Sequence, residues 1–427
     1  MNRPKVLRTP GRGWLRSPRW LTLVLLSLGL AGYFLLPAWA TPPISNYDSL
    51  RLYTEALFEV SQKYVWPKNE EDLIYGSLRG MMNSLDPDSS FLSAKEYQDY
   101  LQGPPRAPAE AGMDLIVKDG LLTAVSVIDG GPAARAGLKP DDHILKIDGQ
   151  MVRNLTTQEA TRRFQGAPST SFKLQVIRNS EVKPLDLTVT LEPLGAGTVT
   201  TSYLDNLVAY VRIRYFNDAT PGELTTVLNN IKQHDPPVKG IILDLRNNAR
   251  GSMEDAVRSA SLFLGNQQIL TAKGRSTKTE QSFTGKDRDL VFKTLPPMVV
   301  LVDQGTGRAA EIVAAALRDQ ARATLLGAKT LGLCGLTKAF PLEDGSALVM
   351  TVAQCYSPKG NKIQGKGLEP EVPGEKPQAA KAQEKAPAQV KAPAQVKSPE
   401  QDPWVQQAKD LLTSGKPKPV APKGPAS

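Results

Sequence analysis

The spacing of apolar residues changes along the chain. Over 47–65 and 70–85 the apolar residues recur at helical spacing, which predicts two amphipathic helices. Over 113–193 they alternate with polar residues, as in strands with one buried face. From about residue 198, short apolar runs are each followed by an amphipathic helix, as in "GIILDLR" before "SMEDAVRSASLFLG". That order is typical of a mostly parallel sheet joined by helical crossovers.

These patterns predict a multidomain α+β fold. A proline-rich stretch, "GPPRAPAEAG", separates the helices from the alternating region, and "KAPAQV" occurs twice in a Pro/Ala/Lys-rich segment that cannot bury a core. "DPWVQQAKDLL" then predicts a short docking helix. The predicted divisions are a leader at 1–40, an N-terminal helical region at 41–105, a β-rich domain at 106–193, an α/β core with a mostly parallel sheet at 194–372, a flexible linker at 373–401, and a short helix with a disordered polar tail at 402–427.

The start of the chain has the pattern of an export signal. Six basic residues and no acidic residue precede an apolar run from Trp20 to Ala40. The run ends in Ala38-Trp39-Ala40, which places small residues at positions −3 and −1 of a cleavage site. A run of this length is also compatible with a single N-terminal membrane anchor. We therefore expect an exported protein, in the periplasm or anchored on the outer face of the inner membrane.

The formal net charge of +9 comes from the two ends of the chain. Residues 1–40 contribute six basic residues, and residues 373–427 contain nine lysines against five acidic residues. The part between these segments is close to neutral. A globular nucleic-acid-binding protein has its basic residues on one face of a domain, so we expect no nucleic-acid partner.

The two cysteines flank a predicted hairpin. "CGLTKAFPLEDGSALVMTVAQC" reads as two strands around Asp344-Gly345, a strong signal for a two-residue turn. In that register Cys334 and Cys355 face each other as a non-hydrogen-bonded pair, with Cα atoms about 4.5 Å apart and within disulfide range. In an exported chain we expect a disulfide between them, with two free buried thiols as the alternative.

Two turns follow strands of the predicted parallel sheet. "VLVDQGTGRAAEIVAAAL" reads as a buried strand, a glycine turn at Gln304–Arg308 and a helix, and Asn247–Gly251 follows the strand "GIILDLR". In open parallel sheets, ligands bind beyond the carboxyl ends of the strands. In many hydrolases the free N–H groups at the start of a helix stabilise an oxyanion. We expect the functional site at these two turns.

The chain resembles the carboxyl-terminal processing, or tail-specific, serine proteases over nearly all its length after the leader. The matching stretches, in the family's order and spacing, are "YGSLRGMMNSLDPDSSFLSAKEY", "GPAARAGLKPDDHILKIDGQ", "GIILDLRNN", "EIVAAALRDQARATLLGAKTLG" and "YSPKGNKIQGKGLEPEV". The resemblance implies a PDZ-like domain at 106–193 and a protease-like core, in which a serine attacks the peptide carbonyl and a lysine of lowered pKa is the general base. It also implies two main-chain amides that hold the oxyanion. It implies no cofactor.

Three positions of that chemistry are altered in this chain. The attacking serine of the family pattern Gly-Ser-Ala-Ser-Ala-Ser-Glu-Ile falls on Arg308, and the lysine of Thr-Phe-Gly-Lys-Gly falls on Leu333. The family's Asn-Asn-Pro-Gly-Gly loop reads "NNARG" at 247–251, with Arg250 in place of a glycine. Arginine stays protonated and cannot be a nucleophile, and leucine cannot accept a proton. We therefore expect a pseudopeptidase, an inactive member of the family.

The PDZ resemblance implies a site for peptide C-termini. A PDZ domain adds a peptide as an extra strand and holds its carboxylate with loop amides. The matching loop here is Glu110-Ala111-Gly112-Met113, and Met113 and Leu115 open the groove strand. We expect Ala111, Gly112, Met113 and Leu115 to contact the peptide. Because active members often assemble through the N-terminal helices, the resemblance also implies a homo-oligomer or a pair with an active relative.

Other residues offer alternatives to a pseudopeptidase. Thr306, which is also placed to cap the next helix, and Cys334, if it is not in a disulfide, are candidate nucleophiles of a non-standard active peptidase. A purely structural envelope protein is a further alternative. Two histidines and two separated cysteines offer no metal-ligand spacing, so we expect no metal site.

Arg250 and Arg308 also make up a candidate anion site. A cation at the start of a helix opposes the helix dipole by about 0.3–1 kcal/mol, so an anionic partner is expected beside Arg308. The internal candidates are Glu254, Asp303 and Glu311, and the external candidate is the carboxylate of a ligand. The alternative is two solvated surface charges.

Overall fold

The computed structural model describes residues 46–102, 108–118, 120–152, 155–179, 181, 183–195, 197–205, 207–276, 280–292, 294, 296–375 and 398–414. The predicted leader, most of the predicted linker and the tail beyond residue 414 lie outside these residues. None of the described helices is long and apolar enough to cross a membrane. The chain divides into two compact units between Ile74 and Tyr75.

The first unit contains helix α1 (Asn46–Lys63), as the helical spacing predicts. Most of its side chains are exposed, including the apolar Tyr47 (84% exposed) and Phe58 (62%). An ion pair between Glu59 and Lys63, one turn apart, supports the last turn of the helix. Helix α2 (Glu70–Asn83) begins in this unit and continues into the second.

The region predicted to be helical also contains a strand, which the sequence pattern did not indicate. Strand β1 (Ser90–Leu92) is fully buried and pairs antiparallel with residues 347–349. Strand β1 is only three residues long and lies between two helical patterns, so its sequence is too short to show a period of two. Helix α3 (Ala94–Leu101) follows, and a capping box between Ser93 and Glu96 fixes its first turn.

The β-rich domain is an antiparallel sheet with strand order β3-β4-β5-β8-β9, in which β6 pairs with β5. Its strands are β3 (Met113–Lys118), β4 (Leu121–Val127), β5 (His143–Ile147), β6 (Gln150–Met151), β8 (Ser171–Ile177) and β9 (Leu185–Thr190). A small ladder joins β2 (Ala109–Glu110) to β7 (Gln165–Gly166). Helices α4 (Pro132–Arg135) and α5 (Thr157–Arg163) complete the domain. Alternate strand residues fill one core, in agreement with their period of two.

The core domain is built on a second six-stranded sheet. Its order is β10 (Val199–Leu204), β11 (Val208–Ile213), β12 (Gly240–Asp244), β15 (Met298–Val302), β16 (Thr324–Gly327) and β19 (Val372–Pro373). Strand β10 is antiparallel to β11, and every other neighbouring pair is parallel. The predicted multidomain α+β fold with a mostly parallel core sheet is therefore confirmed.

Helices cover both faces of this core sheet. The first face packs against α6 (Thr220–Lys232), α7 (Met253–Leu264) and α8 (Ala309–Asp319). The second face packs against α9 (Pro403–Thr413), which begins and ends one residue later than the stretch predicted to be a docking helix. Residues on the strands alternate between the two faces: Val211 belongs to the first, and Tyr210 belongs to the second. A short 3₁₀ turn at Pro399–Gln401 precedes α9.

A third, antiparallel sheet lies beside the core, and only its hairpin was predicted from the sequence. It contains β13 (Gln268–Gly274), β14 (Gln281–Thr284), β17 (Gly335–Pro341) and β18 (Ala347–Tyr356), together with β1. Strand β18 pairs with β1, β13 and β17. A 3₁₀ turn at Asp287–Asp289 follows β14.

The hairpin of β17 and β18 holds a disulfide between Cys334 and Cys355, whose Cα atoms lie 5.6 Å apart. The predicted two-residue turn is wrong, because Leu342 N donates to Ser346 O and three residues lie between them. A bulge at Val352 of β18, opposite Leu336 and Thr337, shifts the register back by one residue and brings the cysteines opposite each other. The predicted non-hydrogen-bonded pairing is also wrong: Cys355 N donates to Cys334 O, and the Cα separation is that of a hydrogen-bonded pair.

Candidate functional site

The two predicted turns lie side by side at the carboxyl ends of β12 and β15. The Asn247 amide donates to Asp303 Oδ1 (2.7 Å), and the Gly307 amide donates to Asn248 O (2.9 Å). Gly305 permits this close approach, because a Cβ atom there would lie 2.9 Å from Asn247 Cα. Burial raises the pKa of the Asp303 carboxyl, against the hydrogen bond from Asn247 that lowers it. The two turns therefore form one connected site.

Arg308 has the backbone of a strained strand-to-helix corner. It is the N-cap of α8, with φ 47° and ψ −118°. A non-glycine residue in such a conformation costs about 1–3 kcal/mol, and such residues cluster at functional sites. In hydrolases with a nucleophile elbow, a sharp strained turn of this kind exposes the nucleophile. Arg308 therefore has the backbone geometry of such a strained corner.

The Arg308 side chain has an ion-pair partner inside the protein. Its Nη2 lies 2.5 Å from Asp88 Oδ1, and its Nη1 donates to Ala249 O (3.1 Å). Burial alone lowers the pKa of Arg308, but Asp88 outweighs it, and the pKa is raised. The guanidinium is therefore charged and satisfied.

Arg250 is held between two carboxylates of the β-rich domain. Its Nε lies 2.7 Å from Asp114 Oδ1, and its Nη1 lies 2.9 Å from Glu110 Oε2. Its Nη2 donates to Met113 O (3.3 Å), and the guanidinium lies 5.5 Å from the centre of the Tyr215 ring. Burial opposes the charge, but Asp114 and Glu110 outweigh it and raise the pKa of Arg250.

The internal anions predicted for these two arginines are therefore wrong. Glu254, Asp303 and Glu311 do not form the ion pairs; Asp88, Glu110 and Asp114 do. The reading of Arg250 and Arg308 as solvated surface charges is also wrong, since both are largely buried. The carboxylates that do form the ion pairs lie in other domains. Residue spacing along the chain does not indicate which domain faces the site.

Leu333, which was predicted to stand at the position of the family's lysine, belongs to an apolar contact between the core and the β-rich domain. It is 4% exposed and clusters with Ile116 and Val125 of that domain and with Ala249 of the core. Its carbonyl oxygen accepts the amide of Arg308 (2.8 Å). The Leu333 side chain is thus packed among hydrocarbon.

Glu311 is a fully buried carboxyl that holds the loop before Leu333. It accepts hydrogen bonds from the Thr330 hydroxyl, from Gly332 N (2.7 Å) and from Leu333 N (2.8 Å). Burial raises its pKa to about 7, although these hydrogen bonds act in the opposite direction. Glu311 therefore positions the loop rather than pairing with an arginine.

A buried charge network beside the site was missed from the sequence. Arg212 Nη1 lies 3.2 Å from Asp244 Oδ1, its Nη2 lies 2.7 Å from Asp129 Oδ2, and Arg246 Nη2 lies 2.6 Å from Asp244 Oδ2. Burial alone would raise the pKa of Asp244, but Arg246 and Arg212 hold it well below its usual range. The network borders a cavity of about 630 Å³ between the β-rich domain and the core. The available signal was Arg212, a charged residue inside the apolar stretch "LVAYVRI".

The residues predicted to contact a peptide are buried in the structure. Ala111, Met113 and Leu115 are 1%, 5% and 3% exposed, and Gly112 is buried as well. The Ala111 amide, expected near a peptide carboxylate, donates to Phe164 O (3.0 Å). None of the four residues is therefore exposed in this structure.

The two alternative nucleophiles are engaged elsewhere. Thr306 is fully buried; its hydroxyl donates to Leu245 O (2.9 Å) and accepts the amide of Asp303 (2.9 Å). The prediction that Thr306 caps α8 is wrong, because Arg308 is the N-cap. Cys334 is in the disulfide. Among the described residues, no group of three or more His, Cys, Asp and Glu side chains could hold a metal ion.

The fold and site define a serine-peptidase scaffold with a PDZ domain. The profile of "Peptidase family S41" matches residues 207–373, and a PDZ-domain profile matches residues 123–178. The photosystem II D1 C-terminal processing protease has a similar fold, with a TM-score of 0.62 and 22% identity, over 76% of this chain and 92% of that chain.

Comparison with proteins of similar sequence identifies the family to which the chain belongs. The chain is 31% identical over 335 residues to the carboxy-terminal-processing protease of Bartonella bacilliformis, covering 78% of this chain and 76% of that protein. It is 32% identical over 339 residues to the carboxy-terminal processing protease CtpA of Bacillus subtilis, covering 79% and 71%. The protein belongs to the S41 family of carboxy-terminal processing proteases.

Proposed function

We propose that this protein is a catalytically inactive S41 member, a pseudopeptidase that binds peptide C-termini or a partner protein without cutting them. The observation that supports this most is the identity of the residue at the strained corner. Arg308 has the backbone of a nucleophile position, yet its guanidinium is paired with Asp88 and cannot attack a carbonyl. Leu333 cannot act as the base for any neighbouring hydroxyl.

The contacts of the altered residues support loss of the reaction rather than a change of nucleophile. Arg308 pairs with Asp88, Arg250 pairs with Glu110 and Asp114, and Leu333 packs in the apolar cluster. A serine or a glycine in place of either arginine could form neither ion pair. Each altered position therefore has a structural role of its own.

We also propose where the protein acts and with what. The basic and apolar pattern of residues 1–40 supports export to the periplasm or to the outer face of the inner membrane. The PDZ domain supports recognition of peptide C-termini. The exposed apolar side chains of α1, such as Phe58, support pairing with a second copy or with an active relative.

A cleavage assay tests the proposed inactivity. The purified full chain is incubated with an unstructured protein that ends in an apolar tail, and fragments are sought by mass spectrometry beside an active S41 peptidase. We expect fragments only from the active enzyme. Cleavage by this chain that disappears in Thr306→Ala, or in the Cys334→Ala/Cys355→Ala double variant, would overturn the proposal.

A binding assay separates a peptide-binding protein from a purely structural one. A peptide with an apolar last residue is immobilised with a free C-terminal carboxylate, and a C-terminal amide of the same peptide is the control. We expect retention of the chain on the carboxylate form only. Equal retention on both forms would contradict recognition of C-termini.

A further inference from the structure

Strand β3 is the edge at which a PDZ ligand would add. It pairs with β4 on one side and ends the strand order of its sheet. Its backbone groups at alternate residues, including Met113 and Val117, point away from β4. Added peptides bind such an edge through main-chain hydrogen bonds. The partners of this edge therefore decide whether the groove is open.

Two groups of that edge are already bonded within the chain. The Val117 amide donates to Thr157 Oγ1 of α5 (3.1 Å), and Met113 O accepts Nη2 of Arg250 (3.3 Å). One partner is a side chain of the PDZ domain and the other is a side chain of the core. A peptide strand laid along β3 would have to displace both bonds.

Arg250 contacts both ends of the loop that precedes β3. Its Nη1 binds Glu110 before the loop, and its Nε binds Asp114 after it. These are charge-assisted hydrogen bonds from the planar guanidinium group of Arg250. Such bonds are stronger than hydrogen bonds between neutral groups. With the Met113 contact, all three guanidinium nitrogens bind the segment from Glu110 to Asp114.

The same face of β3 is packed on the altered catalytic loops. Ile116, two residues beyond Asp114 and on the same side of the strand, packs with Ala249 and Leu333. Arg250 is next to Ala249 in the former oxyanion loop. Ion pairs and apolar contacts thus hold one surface of the PDZ domain on one surface of the core.

We propose that the former oxyanion loop is the internal ligand of the PDZ domain, with Arg250 as the clamp that closes the peptide groove. A C-terminal peptide then competes with Arg250 for β3. The apparent affinity for a peptide is reduced by the fraction of molecules in the open state. This inference goes beyond the proposed loss of cleavage, because the clamp concerns access to the groove and not the reaction.

Hydrogen–deuterium exchange of the full chain tests the clamp without any ligand. In Arg250→Gln, and in Glu110→Gln/Asp114→Asn, we expect exchange over residues 111–118 to be at least about tenfold faster than in the wild type, since charged hydrogen bonds are lost. Arg318→Gln is the matched control. Arg318 is also largely buried beside two carboxylates, Asp319 and Glu371, and all three lie in the core.

Peptide affinity gives a second readout. Glu110→Gln/Asp114→Asn opens the groove but keeps the Arg250 cation, so we expect it to bind a free-carboxylate peptide at least about tenfold more tightly than the wild type. In Arg250→Gln the gain is smaller, because two unpaired carboxylates remain beside the peptide carboxylate. Fluorescence anisotropy measures all three proteins.

The clamp is wrong if exchange over 111–118 is the same in both clamp variants as in the wild type and in Arg318→Gln. It is also wrong if exchange rises equally in Arg318→Gln, which would indicate general loosening. If no protein binds the peptide, the exchange rates alone decide. Cleavage by the wild type would overturn the proposed function and leave the clamp unaffected.

Discussion

Replacing Leu333 with lysine would place an ammonium group in packed hydrocarbon. Leu333 is 4% exposed, and its neighbours Ile116, Val125 and Ala249 offer no side-chain hydrogen-bond acceptor. The nearby Glu311 carboxylate is already bonded to main-chain amides of the same loop. We expect Leu333→Lys to be held neutral in the folded protein, because burial lowers the pKa of a lysine.

The size of the effect follows from proton linkage. A lysine pKa of about 10.4 in the unfolded chain and of about 7 in the folded protein lies within the range known for buried lysines. Between these two values the unfolded chain binds more protons, so the free energy of unfolding rises with pH by up to about 1.4 kcal/mol per unit. The cost of the lysine is then about 4 kcal/mol at pH 7 and about 1 kcal/mol at pH 9.5.

Urea unfolding of oxidised wild type, Leu333→Lys and Leu333→Met at pH 7 and pH 9.5 measures this cost. Methionine is the control, because it keeps the volume and adds no charge. We expect only the lysine variant to regain about 3 kcal/mol relative to the control at the higher pH. The reasoning would be refuted if the free energy of unfolding of Leu333→Lys were lower than that of Leu333→Met by the same amount at both pH values, or were not lower at all. Either result would indicate a lysine that reaches water.

Three further outcomes are expected. Burial raises the pKa of Glu311 to about 7, so below that pH the folded protein binds a proton that the unfolded chain lacks. The free energy of unfolding of the wild type, relative to that of Glu311→Gln, should therefore fall by up to about 3 kcal/mol from pH 4.5 to pH 8, as measured by urea unfolding. Replacing Cys334 and Cys355 with serine should cost about 3 kcal/mol, and an unchanged melting curve would contradict it. A Cβ at Gly240 would lie 2.9 Å from Leu412 Cδ2, so Gly240→Ala should cost about 1–3 kcal/mol alone and clearly less in a Leu412→Ala background, tested by a double-mutant cycle.

The features that depend on neighbours along the chain could be predicted from the sequence. Helix α1, the crossover pattern of β12, α7, β15 and α8, and the docking helix α9 all follow from apolar periodicity. The pairing of Cys334 with Cys355 was also predicted from the sequence, although the hairpin departs from the prediction in two ways that cancel. A three-residue turn with Gly345 at φ 84° moved the register by one, and the bulge at Val352 of β18 moved it back. A pattern of alternation cannot reveal such a pair of shifts.

The features that depend on the docking of domains could not be predicted. Arg308 and Asp88 are 220 residues apart along the chain, and Arg250 and Asp114 are 136 apart. Each carboxylate looks like an ordinary surface residue in its own segment. The PDZ domain brings Asp114 to Arg250, and the segment before β1 brings Asp88 to Arg308. No local period describes either placement.

The backbone conformation of Arg308 depends on the main-chain contacts of its corner. A positive φ at a residue with a side chain is unfavourable by about 1–3 kcal/mol and persists only where the surroundings dictate it. Here the surroundings are the contacts of the corner itself, in which Gly307 N binds Asn248 O and Arg308 N binds Leu333 O. These are main-chain bonds, so they do not depend on which side chain stands at position 308. The corner therefore keeps its shape with an arginine at position 308, and the ion pair with Asp88 offsets part of the strain.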